Sequence, residues 1–137
     1  MKTVAVFFGG KSNEHEISVI TGMLAVNLLR DRYDVLPVYL AQDGGMYASR
    51  EMREIGDFRD FDAKKFPAVA FGEKALVLAK KRKKKIAEPV AALNCCHGGA
   101  GEDGTLSALL RWHGIPCASP DLAVSSAFMS KELGKIA

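Results

Sequence analysis

The sequence predicts a doubly wound α/β domain, and three observations carry that prediction. Two short apolar runs, Thr3 to Phe8 (TVAVFF) and Val90 to Cys96 (VAALNCC), lead into glycine-containing segments, and each of those segments opens onto a helical pattern. Strand, loop and helix therefore occur twice, and folds of this kind bind ligands beyond the carboxyl ends of their strands. The third observation is compositional: 137 residues, 48% hydrophobic and 26% charged, suit one globular domain with a sizeable core and exclude disordered or collagen-like chains.

Taken in order, Thr3 to Phe8 is a continuous Val- and Phe-rich run, the signature of a buried parallel strand. After Gly9-Gly10, Asn13 and Glu16 have capping-box spacing, and Ile17, Ile20, Leu24 and Leu28 recur at helical spacing up to Arg30. Tyr33 to Leu40 (YDVLPVYL) is rich in strand formers, with Pro37 favouring a sheet edge or strand end. Gln42 to Gly45 (QDGG) is a turn, and Met46 to Ser49 returns as a hairpin strand. Arg50 to Lys74 mixes charges with scattered Phe and reads as irregular with one short helix. Val90 to Cys96 is the second buried strand, Thr105 to His113 a helix, and Ile115 to Ala118 a short final strand. Asp121 to Phe128 forms another short helix, and a further one starts near Ser130.

No apolar stretch approaches the ~20 residues that span a bilayer, and the N-terminal run is too short for a secretory h-region, so a cytoplasmic protein is expected. Cys95, Cys96 and Cys117 are odd in number and do not suggest a disulfide framework; buried thiols are expected. Neighbouring strand residues point to opposite faces, which argues against one ion being shared by Cys95 and Cys96. Of the 19 basic residues, six sit in one block, Lys80 to Lys85, and without that block the chain is net acidic. Such a block between apolar flanks reads as a solvated turn between strands, so no nucleic-acid partner is expected.

Among motifs, Gly10-Lys11-Ser12 ends like a phosphate-binding P-loop, but Ala5 stands where that motif needs its first glycine. His15-Glu16 begins like a zinc-protease helix, but position 19 is Val. Gly99 to Gly104 matches the dinucleotide fingerprint between a strand and a helix. Glu102 and Asp103, however, put two carboxylates where a pyrophosphate would sit, and they suit a helix cap and its dipole better. Both loops lie at strand ends and carry ionisable groups, Glu14 and His15 in the first and His97 and Glu102 in the second. A carboxylate at a helix start facing a histidine suits a small ammonium-bearing substrate such as an amino acid. Helix capping by Glu14 and loop hydrogen bonding by His97 is the equally open structural alternative.

Three ordered segments, FGGKSNEHEIS (Phe8 to Ser18), HGGAGEDGTL (His97 to Leu106) and IPCASPDLAVSSAFMSKELGKI (Ile115 to Ile136), together closely resemble the N-terminal domain of D-alanine-D-alanine ligases. The resemblance implies a Rossmann-like, pre-ATP-grasp α/β domain over residues 1–137, with a mostly parallel sheet and helices on both faces. The central and C-terminal ATP-grasp domains are then expected to lie outside this chain. It implies an enzyme that phosphorylates the carboxylate of one D-alanine with ATP and Mg2+ (or Mn2+), then lets the amine of a second attack the acyl phosphate for peptidoglycan synthesis. By the same match Glu14 is the catalytic and substrate-binding carboxylate on the first D-alanine, His97 lies beside that substrate, and Lys131 reaches toward the ATP phosphates. A homodimer is implied, and the chain alone is expected to be inactive. Cys117, Ser119, Ser107-Ala108 and Ser130 depart from the family pattern and leave room for a paralogue making another D-alanyl product. Two rivals from other classes are a nucleotide-binding module using Gly99 to Gly104 and an interaction domain using the basic block.

Overall fold

The first apolar run becomes β1 (Thr3–Gly9), buried from Val4 onward, and the helical pattern after it becomes α1 (His15–Leu29). The computed structural model describes residues 1–81, 84–96 and 104–118. The chain continues through β2 (Asp34–Leu40), β3 (Met46–Ala48), a single 3-10 turn (Ile55–Phe58), β4 (Val69–Gly72), β5 (Ala75–Leu78) and β6 (Lys85–Ala87). It then forms β7 (Ala91–Asn94), α2 (Thr105–Trp112) and β8 (Cys117–Ala118). The helices expected from Asp121 and Ser130 onward lie outside the described residues.

Among the described residues, five strands form the main sheet in the order β3-β2-β1-β7-β8. β2, β1, β7 and β8 are parallel, and β3 closes one edge antiparallel to β2. Alternation along β1 divides the core. Val6 and Phe8 pack with Val19, Met23 and Val26 of α1 and with Phe58 of the 3-10 turn. Ala5 and Phe7 pack on the opposite face with Leu106 and Leu110 of α2. Helices thus cover both faces, as a mostly parallel sheet requires for burial. The α2 face is completed by a small antiparallel sheet, β4-β5-β6, whose Val69, Leu76 and Ala87 join the same cluster.

Several local expectations are corrected. The 50–74 region contains β4 as well as a helical turn. Pro37 is not at an edge, since β2 pairs with β1 throughout and with β3. The β3 ladder begins one residue later, at Val38, which leaves the missing N–H outside it. In the basic block, Lys80, Lys81 and Lys84 are exposed on the β5-β6 turn, but Lys85 begins β6, and 82–83 lie outside the described residues.

The capping box is also not formed: Glu14 is the N-cap of α1 and makes no side-chain cap bond. More consequential is the orientation of α1. Its buried face is His15, Ser18, Val19, Gly22, Met23 and Val26, whereas Ile17, Ile20, Leu24 and Leu28 are 53 to 70% exposed. Gly22 fixes this rotation, because a Cβ there would sit 2.5 Å from Phe8. The helix is apolar nearly all round, so hydrophobic spacing alone does not identify its inward face.

Candidate functional site

The order β2-β1-β7 sets the position of the site. β1 connects through α1 to β2 on one side, while β7 connects through α2 to β8 on the other. The carboxyl ends of β1 and β7 therefore flank the switch point at which doubly wound sheets hold their ligands. Both loops singled out in the sequence leave the sheet at this point.

The first loop is shaped by two glycines with φ of 99° and 98°, Gly9 and Gly10. A Cβ on Gly9 would collide with the Leu40 carbonyl, so this turn excludes other residues sterically as well as conformationally. Gly10 N–H donates to the Leu40 carbonyl at 2.7 Å. Further on, Glu14 N–H donates to Ser12 Oγ at 3.1 Å, and the Glu14 carbonyl accepts the first helical bond from Ser18 N–H at 3.0 Å. The Glu14 side chain is exposed and not used for capping. Its carboxylate thus stands at the positive end of α1, which favours an anion there. The side-chain cap hydrogen bond that one of the two readings of this residue expects is not formed.

Ser18 joins the two loops. It is fully buried, accepts the Gly9 N–H at 2.8 Å and donates to the Cys95 carbonyl at 2.7 Å. Cys95 N–H in turn donates to the Phe7 carbonyl at 2.7 Å. His15 is turned away from Glu14 into the protein. It is 7% exposed, with Nδ1 at 2.5 Å from the Gly10 carbonyl and Nε2 at 2.7 Å from the Tyr39 hydroxyl. Burial, assisted by the nearby Asp43 charge, pushes the Tyr39 hydroxyl up to about 12. His15 and Tyr39 line a cleft of about 510 Å³ with Glu16, Phe58, Arg59 and Phe61.

The second loop starts with Cys95 and Cys96 on opposite faces, Cys95 in the α1-side cluster and Cys96 against the α2-side cluster. Burial pushes both thiols up to about 12, so they are inert, protonated groups at neutral pH. Cys117, raised by burial as well, lies 3.6 Å from Ser107 Oγ. Gly104, with φ of 96°, is the N-cap of α2, so Glu102 and Asp103 precede the cap.

Of the expected site residues, Glu14 is placed at the switch point, whereas His97 and Lys131, together with residues 99–103, lie outside the described residues. Among the described residues no group of three or more His, Cys, Asp or Glu side chains is arranged to hold a metal ion, and no helix is long and apolar enough to cross a membrane. Sequence reasoning singled out neither Ser18 nor Tyr39. Their partners lie 77 and 24 residues away, and no local spacing encodes such bonds. Chemically, the described part offers a solvated carboxylate on a loop hydrogen-bonded to the sheet, an arrangement suited to holding an ammonium group.

Comparison with known proteins agrees with the fold. A family model described as D-ala D-ala ligase N-terminus matches residues 3–120. The D-alanine--D-alanine ligase of Chlorobium luteolum is 37% identical over 98% of this chain and 39% of its own length. The D-alanine-D-alanine ligase of Helicobacter pylori superposes with a TM-score of 0.71 at 29% identity, over 85% of this chain and 36% of that one. The VanG D-Ala:D-Ser ligase of Enterococcus faecalis gives 0.67 at 25% identity, over 85% of this chain and 35% of that one. The chain thus spans about two fifths of the length of the relatives it matches.

Proposed function

The chain belongs to the D-ala D-ala ligase N-terminus family, and from that premise we propose that it is the first-substrate domain of an ATP-dependent ligase that joins two D-alanines. The observation that carries the proposal is the Glu14 carboxylate: exposed, free of capping duty, and fixed at the β1 end of the switch point. In this role it accepts the ammonium of the first D-alanine. Charge-assisted hydrogen bonds hold the amine, and the substrate carboxylate is left free to be phosphorylated. His97, in the loop after β7, lies beside the same substrate in this proposal. The acyl phosphate is then attacked by the amine of a second D-alanine, and the dipeptide serves peptidoglycan synthesis.

In this reading magnesium and most of the ATP contacts fall to the remaining three fifths of the ligase length, the central and C-terminal ATP-grasp domains, with Lys131 reaching toward the phosphates. The ligase acts as a cytoplasmic homodimer, and the chain by itself releases no ADP from ATP and D-alanine. A second reading, a ligase that joins D-alanine to a different partner, is favoured by the likeness to the VanG D-Ala:D-Ser enzyme. Glu14→Gln in the ligase that carries this domain tests the proposal. The KM for the first D-alanine should rise at least about tenfold while the KM for ATP stays within about twofold. An unchanged D-alanine KM removes Glu14 from this role.

A further inference from the structure

His15 immediately follows Glu14 in the chain, yet the two point apart, one into the protein and the other into solvent. Both nitrogens of the His15 ring are engaged, Nδ1 with the Gly10 carbonyl and Nε2 with the Tyr39 hydroxyl. A carbonyl oxygen only accepts, so Nδ1 carries a hydrogen, and in the neutral ring Nε2 then accepts the Tyr39 O–H. Free histidine side chains favour the opposite tautomer, so the protein selects the less common one.

The far end of this chain of bonds is rigid. Tyr39 sits in β2, and its ring is held at 4.8 Å from Phe58, 4.6 Å from Phe61 and 5.7 Å from Phe8. The near end has no such packing. Nothing lies within 4 Å of where a Gly10 side chain would begin, and its φ of 98° is one that most residues avoid. Gly10 is instead held by two hydrogen bonds, its N–H to Leu40 in the sheet and its C=O to His15. The segment from Gly10 to Glu14 therefore takes its position from the sheet by two routes, directly through the Gly10 N–H on Leu40 and indirectly through Tyr39 and His15.

We propose that His15 is a positioning residue, an Nδ1–H clamp between Tyr39 and Gly10 that helps fix the loop presenting the Glu14 carboxylate to the substrate ammonium. The proposal rests on the reading of Glu14 given above. The clamp acts through the backbone and touches no substrate, so its loss shifts the carboxylate without removing it. Misplacement of about 1 Å is enough to cost up to 10²-fold.

Two measurements test this. In the 137-residue chain at about pH 8, long-range 1H–15N NMR of the His15 ring reads the tautomer directly. The Nδ1–H form is expected, and an Nε2–H form overturns the proposal. In the ligase that carries the domain, His15→Phe keeps the ring shape and removes both bonds. It should raise the D-alanine KM about tenfold with the ATP KM within about twofold, and His15→Asn, which restores a donor near Nδ1, should recover most of the loss. An unchanged D-alanine KM in His15→Phe, or equal losses for both substrates without recovery by Asn, overturns it. Should Glu14→Gln prove silent while the tautomer and the His15 effects are seen, the clamp stands and the assignment of the ammonium to Glu14 falls.

Discussion

Ser18 and Cys95, 77 residues apart in sequence, are joined by a 2.7 Å hydrogen bond from the Ser18 hydroxyl to the Cys95 carbonyl. The same hydroxyl accepts the N–H of Gly9, so one buried oxygen ties the ends of β1 and β7 at the mouth of the site. Removing it strands a buried donor and a buried acceptor, each costing about 1–3 kcal/mol when unpaired. Ser18→Ala is therefore expected to destabilise the chain by about 2 kcal/mol, read as a lower urea midpoint at unchanged slope. A midpoint equal to that of the parent chain would show that the hydroxyl carries no such tie.

Gly22 and Leu24 lie two residues apart on α1 but should respond very differently to substitution. Gly22→Ala normally gains up to about 1 kcal/mol in a helix interior, but its new Cβ would sit 2.5 Å from Phe8. Overpacking of this kind costs about 1–3 kcal/mol, so the net effect should be destabilising. Leu24→Lys replaces a side chain that is 60% exposed and should move the urea midpoint by no more than the equivalent of about 0.5 kcal/mol. A Leu24→Lys chain that fails to fold would mean that the outward stripe is covered by another part of this chain.

Alkaline pH should weaken the fold. Burial pushes the Cys95 and Cys96 thiols from near 9.0 up to about 12, and Tyr39 from near 10.0 to about 12. The folded state therefore holds these protons more tightly than the unfolded one. Their contribution is fully present below about pH 9 and is lost as pH rises toward 12. The urea midpoint at pH 10.5 should be lower than at pH 7.5 by the equivalent of at least about 1 kcal/mol. The same burial predicts slow labelling of Cys95 and Cys96 by thiol reagents at pH 8, with fast labelling after denaturation. An undiminished midpoint at pH 10.5 would contradict this account.

The elements legible in the sequence are those whose burial is written as continuous apolar runs. β1, β2 and β7 are short Val-, Leu- and Ala-rich segments bounded by glycine or turn residues, and each lies in the parallel part of the sheet. β4 is four residues long and its apolar side chains meet the core only through the pairing of the small sheet, so no periodicity announces it, whereas β5 and β6 are legible only as the strands on either side of the basic turn. The helical spacing in α1 was readable but its orientation was not, because Gly22 and Ser18, rather than the larger side chains, decide which face turns inward. At the site, the position of Glu14 follows from a glycine turn ahead of a helix. The roles of His15 and Ser18 do not, since each depends on a hydrogen bond to a strand far along the chain.

The central claim, that this domain serves the first D-alanine of a ligase, is tested most directly by a chimera. This chain replaces the matching N-terminal two fifths of the Chlorobium luteolum ligase, to which it is 37% identical, and ADP release is followed as D-alanine is added. D-alanine-dependent turnover is expected, together with loss of turnover in the chimera carrying Glu14→Gln. A soluble chimera that binds ATP but shows no D-alanine-dependent ADP release, or one whose turnover is indifferent to Glu14→Gln, would contradict it.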